Sequence, residues 1–192
     1  MQKLNFKERP LSWSQIASFE YSPEQWFSRY ILNEKQEENA SMKFGKWFGE
    51  KVATDPTFYP QIPRYPIFEQ KLSVMFNQIP IIGYIDSYDP ATHSFLEYKT
   101  AKTIWSKDKA ENHGQLHLYA LALYITHKKL PESINLVCIK TNESGDFDVS
   151  IAEPFEMVNY PVKVEMKDIL LFGSRIMKVV KEMEDYLSTK TG

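Results

Sequence analysis

The chain has 192 residues, a length that suits one domain around one sizeable core. Its 43% hydrophobic and 25% charged residues are the balance of a globular chain, and 12 Phe with 11 Tyr argue against long disorder. A net charge of -2 excludes a polycation that holds nucleic acid by charge alone, leaving room for a local basic patch. The single cysteine, Cys138, excludes an internal disulfide, a cysteine zinc site and an iron–sulfur cluster, and reads as a small core residue. The opening MQKLNFKERP lacks a signal-peptide core, and no segment approaches the roughly 18 apolar residues of a membrane span. The expectation is no membrane contact and a reducing, cytoplasmic setting.

In chain order, residues 14–32 carry helical periodicity that Pro23 interrupts, which predicts two short helices joined at Tyr21-Ser22-Pro23. A polar loop over 33–40 leads to a third helix over 41–53. Four prolines between 54 and 66 mark a connector. Strands are predicted over 67–77, 79–88 and 94–100, with a turn at Asp89-Pro90-Ala91-Thr92. A helix over 110–128 follows, then a strand over 134–141, a turn at 143–146 and a hairpin partner over 147–152. The last helix is expected over 163–187, with a frayed tail after it. This order predicts a single α/β domain with a central mixed sheet flanked by helices.

Chemistry concentrates at Gly83-Tyr84-Ile85-Asp86 and Phe95-Leu96-Glu97-Tyr98-Lys99. Glu97 and Lys99 are two apart on a strand and share a face, and a tight turn near Pro90 pairs Asp86 approximately opposite Glu97. Two carboxylates and an ammonium on one face suit divalent-metal phosphodiester chemistry. Mg²⁺ takes one or two carboxylates and keeps several waters, and it lowers the pKa of a bound water. The ammonium orients the attacking water or offsets developing charge. The spacing alone also fits a solvent-facing hairpin whose Asp, Glu and Lys make a cross-strand ion pair.

Four ordered stretches carry a resemblance. They are Leu11-Ser12-Trp13-Ser14-Gln15-Ile16 with Ser22-Pro23-Glu24-Gln25-Trp26-Phe27 and Tyr30; Phe44-Gly45-Lys46-Trp47-Phe48-Gly49-Glu50-Lys51-Val52-Ala53; Gly83 to Asp86 with Leu96-Glu97-Tyr98-Lys99-Thr100; and Gln115-Leu116-His117-Leu118-Tyr119-Ala120. Together they resemble the RecB-like and lambda-exonuclease-like branch of the PD-(D/E)XK nucleases, over most of residues 11–123. The resemblance implies a restriction-endonuclease-like core across 1–192 and Mg²⁺- or Mn²⁺-dependent cleavage of DNA, at single strands or duplex ends. Asp86 and Glu97 would ligate metal with the Tyr98 carbonyl, and Lys99 would be catalytic. Gln115 would sit at the rim, with Tyr119 one helical turn away. Gly49 stands where many relatives place a metal-binding His, so Glu50 is expected as the substitute ligand, against a plain helix-surface role. Ser22 stands where cluster-bearing relatives have a cysteine, so no iron–sulfur cluster is expected.

Thr100, Lys102, Thr103, Trp105, Lys107 and Lys109 follow the catalytic strand, and a basic loop with an exposed Trp suits phosphate and base contacts. The alternative is a solvated connector with Trp105 tucked onto the core. Arg29, Lys43, Lys46 and Lys51 either extend the groove or are ordinary surface charges. His117 reads as structural, His113 as a residue approaching the cleft, and Glu69 as an auxiliary acid or, more simply, a surface strand residue. The expected function is exonuclease action in repair, recombination or phage DNA processing. Its rivals are an endonuclease and a non-catalytic nucleic-acid-binding module, with RNA not excluded. Protein partners and oligomeric state have no signal.

Overall fold

Two positive-φ residues, Asn77 at 45° and Gln78 at 67°, make the tight turn joining β1 (Ile67–Phe76) to β2 (Ile79–Tyr88). Both central residues in this region give a turn whose twist matches the flanking strands. The register runs antiparallel from Ile67 opposite Tyr88 to Phe76 opposite Ile79. After the Asp89 turn, where Asp89 accepts from the Ala91 N–H and the Thr92 hydroxyl, β3 (Phe95–Ala101) begins antiparallel to β2. The computed structural model describes Leu4, Phe6, residues 8–144 and residues 148–190.

A parallel neighbour for β3 requires a crossover. The chain supplies it with α4 (Lys107–Glu111) and α5 (Gly114–His127) before β4 (Ile134–Ser144). Two further strands pair antiparallel with β4: β6 (Met157–Pro161) along its first half and β5 (Asp148–Ile151) along its second. The result is a single α/β domain with a six-stranded mixed sheet flanked by helices.

At the N-terminal end, α1 (Trp13–Tyr21) and α2 (Pro23–Trp26) meet at Ser22, as Pro23 predicts. The Ser22 hydroxyl accepts from the Gln25 N–H, and Pro23 occupies the first helical position, where its missing N–H costs nothing. A π-helical turn, Phe27–Ile31, follows. Asn39 caps α3 (Ala40–Thr54), and α6 (Met166–Lys190) closes the chain.

The structure corrects four expectations. The helix expected over 110–128 is two helices. The Ser106 hydroxyl starts α4 early, and the Asn112 side chain bonds back to Asp108, ending it before α5. A sixth strand, β6, had no clear sequence signal, because its Asn159 and Pro161 suit an edge strand, not a central one. The last helix starts and ends three residues later than expected, so residues 188–190 of the expected tail are helical. The strand expected over 134–141 runs on to Ser144, so Glu143 and Ser144 of the predicted turn pair with Val149 and Asp148. Gly145 and Asp146 of that turn, Phe147 of its hairpin partner and the last two tail residues lie outside the described residues.

Side chains fill the two faces of the sheet separately. One core gathers Ile16, Phe19, Trp26, Ile85, Phe95, Leu116, Ile176 and Met183 beneath α1, α5 and α6. The other gathers Phe48 and Val52 of α3 against Leu96, Tyr98, Val137 and Ile139. β3 therefore sends Phe95 to one core and Leu96 and Tyr98 to the other. Glu97 and Lys99, in phase with Phe95, face α5. Among the described residues, no helix is long and apolar enough to cross a membrane.

Candidate active site

The ladder between β2 and β3 stops where Asp86 begins. Ser87 pairs with Leu96 and Tyr88 with Phe95, which puts Asp86 opposite Glu97, yet no ladder pair forms there. Instead the Asp86 carboxylate accepts the Tyr98 N–H at 2.7 Å, standing in for a strand carbonyl. The alternation of β2 also breaks at this point. Ile79, Ile81, Ile85 and Tyr88 all belong to the α5-side core, so the strand changes phase between Ile85 and Tyr88. Paired strands turn apart here, and the opening is occupied by carboxylates.

Lys99 closes the cluster. Its ammonium donates to Glu97 Oε1 at 2.6 Å and to Gln115 Oε1 at 2.9 Å. Gln115, in the first turn of α5, donates from Nε2 to the Tyr119 hydroxyl at 2.8 Å. Tyr119 can lie there because Gly83 has no side chain: a Cβ at Gly83 would stand 2.5 Å from the ring. His113 completes the chain of contacts, its Nε2 3.2 Å from Gln115 Oε1. An amide oxygen only accepts, so His113 is the donor of that bond. Trp13 and Trp105 meet the His113 ring edge-on at 5.6 and 5.1 Å.

Electrostatics follow from burial. Glu97 is 2% exposed, and its Oε2 has no hydrogen-bond partner. Burial pushes its carboxyl above the usual range, although Lys99 opposes the rise. Burial and the neighbouring Glu97 charge push Asp86 well above it. Burial pulls the Lys99 ammonium down, but Glu97 and Asp86 more than restore it, and it stays above the ordinary lysine value. Burial and the Lys99 charge push His113 down to about 4, so it is neutral at pH 7.

The other candidates from the sequence are dispersed. Glu50 is exposed on α3, whose buried side chains pack on the opposite face of the sheet. The Tyr98 side chain also points to the α3 side, its hydroxyl donating to Pro63 O at 2.7 Å and pushed by burial to about 12. The Thr100 hydroxyl lies 3.6 Å from where a Gly45 Cβ would stand, again on the α3 side. Trp105 is half-buried against the core, with the Lys109 ammonium 3.9 Å over its ring, which is the tucked arrangement. Lys107 pairs with Glu111 at 3.6 Å, and Lys102 is exposed. Tyr119 is buried, a support for Gln115. His117 stacks on Phe172 of α6. Arg29 lies over Tyr30, Lys46 pairs with Glu38, and Lys43 and Lys51 are exposed.

Two residues matter more than their sequence signal suggested. His113 supports Gln115, visible beforehand only as a histidine two residues away. Glu69 is exposed, as a surface strand residue would be, yet its charge acts on both Asp86 and Glu97. Among the described residues, no three His, Cys, Asp or Glu side chains close into a metal cage. Asp86 and Glu97 offer two carboxylates, enough for a hard cation that keeps several waters.

No protein-family model and no curated protein matches the sequence. Among solved structures, a candidate exonuclease from Eubacterium rectale aligns at TM-score 0.42 and 13% identity, over 88% of this chain and 64% of that one. A phage-related exonuclease from Haemophilus somnus 129PT aligns at TM-score 0.51 and 9% identity, over 93% of this chain and 83% of that one. The latter correspondence, spanning nearly the whole chain, is a likeness of fold.

Proposed function

We propose that this chain is a divalent-cation-dependent deoxyribonuclease of the PD-(D/E)XK kind, in its RecB-like and lambda-exonuclease-like branch without an iron–sulfur cluster, cutting from DNA ends. The observation that carries the reading is the buried Lys99–Glu97 pair beside Asp86, where β2 and β3 part. A cross-strand ion pair on a solvent-facing hairpin would not bury Glu97 or leave its second oxygen unpartnered.

The residues fit a divalent cation. Two carboxylates whose ionisation is disfavoured by burial and by neighbouring negative charge gain most from a nearby dication. Asp86 and Glu97 would hold it, with the Tyr98 carbonyl as a further oxygen. Mg²⁺ or Mn²⁺ there supplies Lewis-acid stabilisation of the scissile phosphate and an acidified water for hydrolysis. Lys99, kept charged by its carboxylate neighbours, offsets the negative charge that develops on the phosphate. Gln115 fixes the ammonium through its amide oxygen, and Tyr119 fixes Gln115. The preference for ends, and phage DNA processing as the setting, rest on the fold shared with a phage-related exonuclease, while recombination or repair is what the family resemblance implies.

Incubation of linear and covalently closed duplex DNA with Mg²⁺, and with EDTA as control, tests both parts. Loss of the linear substrate alone is expected, abolished by EDTA. Asp86→Asn and Lys99→Met should each lower the rate by on the order of 10²–10³-fold. Cutting of the closed circle would replace the exonuclease reading with an endonuclease. Undiminished activity in both variants would remove the site.

A further inference from the structure

The registers of three neighbouring strands coincide at one row. Glu69 of β1 lies opposite Asp86, between the pairs Phe68–Ser87 and Gln70–Ile85, and Asp86 lies opposite Glu97. Neither opposition closes as a ladder pair, so a row of three carboxylates crosses β1, β2 and β3 where the backbone pairing is interrupted on both sides of Asp86. Glu69 itself holds φ at 50°, a left-handed conformation that a non-glycine residue rarely takes inside a strand.

Glu97, in the same row, is buried with Oε2 unpartnered, a polar atom that protein groups leave unsatisfied. The charges point the same way. Glu69 disfavours ionisation of both Asp86 and Glu97, while the cation hydrogen-bonded in the cluster is Lys99. An exposed glutamate with no task gains nothing from a strained backbone beside two like charges.

Building on the cation-dependent reading above, we propose that Glu69 is the solvent-side carboxylate of this site, holding a divalent cation seated at Asp86 either directly or through one bound water. Glu97 and Lys99 then form its buried side. Glu69 is exposed, so its side chain turns toward an arriving cation without disturbing the core.

Calorimetric Mn²⁺ titration and thermal melts of the whole chain, with Glu69→Gln and Glu69→Gly, test this. Both variants should bind Mn²⁺ at least tenfold more weakly and need correspondingly more Mg²⁺ for half-maximal cleavage. Glu69→Gly, freed of the left-handed penalty, should melt above the parent in EDTA, which separates lost cation binding from lost folding. If the parent binds Mn²⁺ and cuts DNA while both variants match its affinity, Glu69 has no part in the site and only this proposal falls. If the parent neither binds Mn²⁺ nor cuts DNA, the cation-dependent reading fails first and takes this one with it.

Discussion

Asp86 sits where it is useful and uncomfortable. Burial and the Glu97 charge raise its pKa well above the ordinary carboxylate range. A folded-state pKa above the unfolded value means that the unfolded chain loses the proton first as pH rises, so stability falls across that window. Asp86→Asn keeps an oxygen for the Tyr98 N–H and removes the charge. Without metal at pH 7 it should melt at a higher temperature than the parent, while being inactive. A lower melting temperature would mean that the Asp86 charge stabilises the empty site. His113 has the opposite sign. Pushed to about 4, it stays neutral in the fold between about pH 4 and its unfolded value near 6.5, where the unfolded chain takes up a proton. Its contribution to stability is therefore lost as pH falls through that window. Metal-free melts of His113→Gln should show a flatter acid limb than the parent, and equal slopes would assign the acid sensitivity to another group.

At the level of elements, the site depends on how closely α5 approaches β2. Gly83 lets the Tyr119 ring rest on the strand, and Tyr119 in turn holds Gln115 against Lys99. Gly83→Ala forces a ring atom to retreat from a 2.5 Å contact. A loss of about 1–3 kcal/mol is expected from overpacking, read as a lower denaturant midpoint with unchanged slope. Activity should fall with it, because the displaced ring carries Gln115 away. An unchanged midpoint would show that Tyr119 moves freely and does not brace the site. The break between α4 and α5 belongs to the same account. Ser106 starts one short helix and Asn112 ends it, so that the next begins at Gly114, placing Gln115 in its first turn.

Over the whole molecule, the sheet lies between two helical layers, and Glu97 and Lys99 lie on its α5 side, in a position that apolar side chains would fill at less desolvation cost. Such a pair is expensive to bury, and the proposed cation, by binding only the folded state, would offset part of that expense. Saturation at 100-fold above the dissociation constant adds about 2.7 kcal/mol, roughly 5–11 °C for a chain of this size. Mn²⁺ should therefore raise the melting temperature of the parent and leave that of Asp86→Asn almost unmoved. A parent indifferent to saturating Mn²⁺ would sink the metal-dependent reading.

Much of this was legible in the chain itself. Pro23 dictated the break between α1 and α2, alternation and turn chemistry gave the β1–β3 meander, and the two-residue spacing put Glu97 and Lys99 on one face. These are local rules, set by backbone geometry and side-chain period. Tertiary structure alone decided the rest, because it depended on which distant groups meet. The sequence could not tell that the β2–β3 ladder opens at Asp86, or that Thr100 and Tyr98 turn toward α3. Nor could it tell that Trp105 lies under Lys109, that His113 braces Gln115, or that Glu69 stands in the carboxylate row. Register and burial are fixed by packing between elements far apart in the chain, and periodicity along one segment carries no information about its neighbours.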